Sequence, residues 1–134
     1  MERIRYFKVK LEDIVEKLKE YFNSKRNVTI AILFGSTLRR NIVRDIDIAV
    51  HINGEADLNK IINMSIELEE LLKIPVDIIP LKQIPPPIRI RILLKGKPII
   101  IKNKATYTEI LKTTISEIQD LKLASKTLKQ KQQS

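Results

Sequence analysis

Cysteine and tryptophan are absent from the sequence, and histidine occurs once. Without cysteine there is no disulfide and no thiolate metal site, a composition that fits a cytoplasmic protein. A metal held here is left to oxygen ligands, which suit hard divalent cations. Three tyrosines and three phenylalanines are too few for the stacking platforms that single-stranded nucleic acids need. No run approaches about 18 uninterrupted apolar residues, so no membrane span is expected. Met1-Glu2-Arg3-Ile4-Arg5 is charged, with neither an apolar run nor a small-residue cleavage site behind it. No signal peptide is therefore expected.

What is present is a strongly basic chain of 134 residues with a formal charge of +9. The length fits one domain with a real core, small for a complete two-substrate enzyme. The charge makes polyanions natural partners: nucleotides, RNA or an acidic protein.

Hydrophobic spacing orders the chain as αβαβαβαβα. Leu11, Ile14, Val15, Leu18 and Phe22 form one stripe of a helix over about 8–23. Val28–Phe34 is a β-branched run ended by Gly35, and Ser36 can cap a short helix reaching Arg39 or Arg40. Asp45–Ile52 is the second strand. A helix capped by Asp57 runs to about Lys73, and a third strand spans Pro75–Pro80. Pro85-Pro86-Pro87 precedes a short helix over 88–94, because proline is tolerated only in a helix's first turn. Pro98–Lys102 is an edge strand, and a final helix runs from about Thr106 to a fraying basic end. The expected architecture is α/β: a small mixed sheet with flanking helices over residues 1–103. Residues 104–134 form an extra C-terminal helix and tail that packs on the domain or on a partner.

The chemistry lies where strands end. Asp45 and Asp47 alternate on one strand face, about 6.5–7 Å apart at Cα, and can converge on two cations. Asp77 sits between Val76 and Ile78 in an apolar strand, where a carboxylate is costly unless paired or bound to metal. On a neighbouring strand it could complete the site and accept the proton of an attacking hydroxyl. Gly35 lets phosphate approach the backbone, and Ser36 offers a helix N-terminus that favours anions. Arg39, Arg40 and Arg44 lie in the same connection, available to a triphosphate. Gly-Ser and Asp-x-Asp at one fixed spacing arise by chance on the order of 10⁻³ times in such a chain, so the set is specific where its members are not. The reaction it supports is in-line attack of a hydroxyl on an α-phosphate, with release of pyrophosphate. Competing uses exist for single residues: a turn glycine, a serine cap, solvated arginines, a half-buried His51. The Arg89, Arg91, Lys95, Lys97 cluster reads most simply as a solvated helix face, with contact to an acidic partner or RNA as the alternative, and Tyr107 as a packing residue rather than a modified or partner-facing one.

Phe34-Gly35-Ser36-Thr37-Leu38-Arg39, Asp45-Ile46-Asp47-Ile48 and Val76-Asp77-Ile78-Ile79 together resemble the active site of the DNA polymerase beta-like nucleotidyltransferase superfamily, and specifically its minimal nucleotidyltransferases. The resemblance covers roughly residues 8–102. It implies that Gly35 and Ser36, with Arg39 and Arg40, hold the nucleotide, and that Asp45, Asp47 and Asp77 are catalytic and bind two Mg²⁺ ions. The family often has glycine where Arg40 stands, which predicts a different end to the short helix. Minimal members lack a substrate-binding domain, many are encoded beside a HEPN-domain protein, and some are antitoxins that transfer AMP to a tyrosine of that toxin. The resemblance thus implies ATP or another nucleoside triphosphate as donor and a HEPN-domain partner, as a homodimer or within a hetero-oligomer. Two other functions remain open: a non-catalytic antitoxin or adaptor that neutralises its partner by contact, and an RNA-terminal nucleotidyltransferase, against which the few aromatics weigh.

Overall fold

The computed structural model describes residues 5–54 and 57–133; the first four residues of the charged N-terminus, and Ser134, lie outside them. Within this span β1 is Phe7–Lys8, α1 Leu11–Asn23, β2 Val28–Phe34, β3 Ile42–Val43, β4 Ile46–Ile52, α2 Leu58–Leu72, β5 Val76–Pro80, α3 Pro86–Lys95, β6 Lys97–Ile101 and α4 Lys104–Gln133. Single 3-10 turns occupy Ser36–Leu38 and Leu81–Gln83. Among the described residues no helix is long and apolar enough to cross a membrane.

The main sheet is mixed, in the order β5-β4-β2-β6. β2 pairs antiparallel with both β4 and β6, whereas β4 and β5 are parallel. A parallel pair needs a crossover, and α2 provides it. β6 lies at the sheet edge, as its proline requires. β1 and β3 form a separate antiparallel two-residue ladder that the sequence pattern does not foretell. It displaces the expected start of α1 from residue 8 to Leu11.

Both faces of the sheet are covered. Leu33, Ile46, Ile48, Val50 and Ile78 point toward α1 and α2, where Leu18, Phe22 and Leu68 are fully buried. Ile30, Ile32 and Ala49 point the other way, under Ile92 and Leu93 of α3 and Tyr107, Ile110 and Leu111 of α4. The Tyr107 hydroxyl donates to the Leu93 carbonyl at 2.5 Å, so this tyrosine ties α4 to α3 as a packing residue. α3 begins at Pro86, earlier than expected, with prolines in its first turn, where a missing N–H costs nothing. α4 remains helical to Gln133, past the lysine-rich stretch where fraying was expected.

Arg89 overturns the reading of a solvated cluster. It is 6% exposed and donates from Nε to the Leu81 carbonyl at 2.9 Å, and from Nη1 to Thr114 at 3.2 Å and Glu117 at 3.0 Å. A charge is stable there because these partners and the ion pair replace its water. Arg91, Lys95 and Lys97 are exposed.

Candidate active site

The site forms at the edge of the sheet where β2 ends and β4 and β5 begin. Parallel pairing places Asp47 of β4 opposite Asp77 of β5, and the antiparallel register places Phe34 across from Asp47. Because Ile46 and Ile48 point into the α1–α2 core, the alternation of β4 turns Asp47 to the other face, at the margin of the α3–α4 cover. Asp45 precedes the strand on the same side. Ligand atoms of Asp45, Asp47 and Asp77 all lie within 4.8 Å of one another.

The crossover fixes Asp77 through the residue before it. The Val76 amide donates to Glu69 at 3.0 Å, and the Ser65 hydroxyl donates to the Val76 carbonyl at 2.7 Å. Both side chains come from α2, and the Ile46 amide donates to the Pro75 carbonyl at 2.9 Å. The start of β5 is thus tied to the helix and to β4.

Gly35 has φ 85° and ψ −155°, a conformation open essentially to glycine alone. A Cβ on this residue would overlap the Asp47 carboxylate. The glycine is required both by the turn and by the acid beside it. The Ser36 backbone carbonyl then accepts from the Arg39 and Arg40 amides. The helix expected after Ser36 is only a 3-10 turn, with Gly35 at its N-cap position and no side-chain cap. Ser36 is therefore not the cap that its position suggested, and its half-buried hydroxyl faces no protein partner among the described residues. Next to it the Thr37 hydroxyl is buried and, among the described residues, has no hydrogen-bond partner.

The predicted arginines separate. Ser36, Arg40, Arg44 and Asp45 line one cavity of about 380 Å³ together with Tyr6, Ile42 and Val43. Arg39 does not line that cavity but a depression behind the turn with Thr37, Lys10 and Glu12, and Arg40 borders both. Tyr6 has no signature in the sequence, because a residue ahead of a two-residue strand carries no periodic signal. His51 shares the face of Asp47 but lies at the far end of β4, lining a cavity of about 530 Å³ with Lys82 and Arg89. Burial and Lys82 lower its pKa.

Electrostatically the three acids form a trap for a cation. Burial first, then Asp45 and Asp77, raise the Asp47 carboxyl to about 6. An all-oxygen donor set whose ionisation is opposed by its own members fits a hard divalent ion such as Mg²⁺, which relieves the repulsion.

A Gly-Ser turn beside three convergent carboxylates on adjacent strands is the layout of a nucleotidyltransferase-fold domain. The family model described as polymerase beta, nucleotidyltransferase, matches residues 16–105, and the chain belongs to that family. No protein of curated function matches it. Among solved structures, a chain in the complex of a tri-AMPylated Shewanella oneidensis HEPN toxin with MNT antitoxin is similar at 19% identity and TM-score 0.70, over 93% of this chain and 100% of that one. A toxin–antitoxin solved with AMP-PNP gives 23% identity and TM-score 0.65, over 92% and 98%. The toxin–antitoxin MntA–HepT gives 20% and 0.64, over 92% and 97%. These likenesses are likenesses of fold.

Proposed function

We propose that the chain is a Mg²⁺-dependent adenylyltransferase and the antitoxin of a toxin–antitoxin pair, transferring AMP from ATP to a hydroxyl, that of a tyrosine, on a HEPN-domain toxin. The observation that carries this reading is the convergence of Asp45, Asp47 and Asp77 within 4.8 Å beside a turn that only glycine can make. The solved relatives support donor and acceptor, one holding AMP-PNP and another a tri-AMPylated toxin.

Asp45 and Asp47 would hold both ions and Asp77 one of them; bound Mg²⁺ would neutralise the triphosphate and the departing pyrophosphate. Ser36 and the Gly35 backbone bind the phosphates, and Arg40 and Arg44 balance their charge from the same cavity. The acceptor oxygen forms a bond to the α-phosphorus while the bond to the β-phosphate oxygen breaks. Pyrophosphate leaves with that electron pair, and Asp77, the most exposed of the three acids, takes the acceptor's proton.

The test uses ATP labelled at the α-phosphate, Mg²⁺ and the protein encoded beside this one as acceptor. Label should pass to the acceptor with the wild-type chain and not with Asp45→Asn, Asp47→Asn. Absence of label with wild type, while both forms bind the partner equally, would replace transfer by neutralisation through contact alone.

A further inference from the structure

α4 is 30 residues long, about 45 Å of helix, yet among the described residues only its first half packs on the body of the domain. Tyr107, Leu111 and Thr114 face the body of the domain, Thr114 completely buried, and Arg89 meets the helix last at Glu117. From residue 119 to 132 every residue is exposed. The inward stripe nevertheless continues at the same alternating spacing of four and three. Ile118, Leu121, Ser125 and Leu128 follow Tyr107, Leu111 and Thr114, with Leu121 53% and Leu128 62% exposed. A stripe repeating every 3.5 residues is the seam of a helix that packs along another helix.

The charge around the seam selects the occupant. Residues 119–130 carry Lys122, Lys126 and Lys129 against one acid, Asp120. Lys122 and Lys129 each follow a seam leucine and so flank the contact line, where charges set partner choice. A second copy would bring lysines against lysines on a chain already at +9. We infer that the distal half of α4 is a docking helix for an acidic amphipathic helix of a partner protein, and that residues 104–134 serve binding while residues 1–103 carry the chemistry. This does not depend on nucleotidyl transfer.

The probe is a synthetic three-heptad peptide with leucine at seam positions and glutamate beside them, compared with a scrambled peptide of equal charge. Its affinity for the full chain is measured by calorimetry, alongside sedimentation of the chain alone. The wild type should bind the heptad peptide at least about tenfold more tightly than the scrambled one. Leu121→Ala, Leu128→Ala should remove that preference while the helix content and melting temperature stay unchanged, because both side chains are exposed and alanine favours helix. Equal binding of the two peptides, or an undiminished preference in the variant, overturns the inference. So does a dimer of the chain alone that the variant dissolves, since the seam would then belong to a second copy. Cation and nucleotide binding at the aspartates is untouched by these substitutions, so failure here and failure of the transfer reading are distinguishable.

Discussion

Asp47 and Asp77 are register partners: the parallel pairing of β4 with β5 sets the two carboxylates side by side on one sheet face. Nearly thirty residues of sequence separate them, and the α2 crossover closes that gap. The pair is therefore a property of the sheet, and it demands that both strands be in place.

Loss of either acid should remove the site as a unit. Asp47→Asn and Asp77→Asn are each expected to lower transfer by about a hundredfold or more, the scale on which a charged contact in a reacting site is lost. Steady-state transfer with Mg²⁺, alongside calorimetric cation binding, checks this. If Asp77→Asn kept full activity, its role as proton acceptor would be wrong.

Gly35→Ala should be nearly as damaging without removing a charge. The substitution forces a side chain into glycine-only backbone space and against Asp47. An expected cost of about 1–3 kcal/mol in stability can be read by urea unfolding. A displaced Asp47 should weaken cation binding in the fraction that still folds.

Proton competition gives a pH signature. The Asp47 carboxyl stands near 6 in the fold against an ordinary 3.8. The folded state therefore holds a proton that the unfolded chain has released, and this contribution is lost as pH rises through about 6. The metal-free protein should lose stability through this group between pH 4 and 7, and added Mg²⁺ or Mn²⁺ should raise the melting temperature more at pH 7 than at pH 5. An equal shift at both would detach the cation from Asp47.

Arg89→Ala should destabilise by about 3 kcal/mol, because it orphans buried acceptors and the Thr114 and Glu117 contacts together. Equilibrium unfolding in urea measures it. Cation affinity in the folded fraction should be unchanged, since Arg89 lies away from the aspartates.

Much of this arrangement was legible in the sequence. The β-branched runs located the four main strands, and the three aspartates could be placed at strand starts because alternation and cost of burial constrain them. What escaped is local or long-range in kind. β1 and β3 are two residues each, too short for any period, so the cavity wall that β3 builds with Tyr6 has no signature in the sequence. Ser36 resembled a cap because the pattern of Gly35-Ser36 does not reveal the backbone angles of the glycine. Arg89 reads as solvated in the sequence because Thr114 and Glu117 are brought to it only by the packing of α4, and the Leu81 carbonyl only by the turn ahead of α3. Arg39 and Arg40 are adjacent in sequence, yet only Arg40 shares the cavity of Ser36 and Asp45.

The position of β5 has a mechanical meaning. It is a five-residue strand at the sheet edge, joined on one side only. A cation shared by Asp47 and Asp77 would be a rivet between that edge and the sheet's interior, added after folding and removable by a chelator. The last strand to be secured would then be the one that carries the proposed proton acceptor, and occupancy of the site would be felt as slowed amide exchange along residues 76–79.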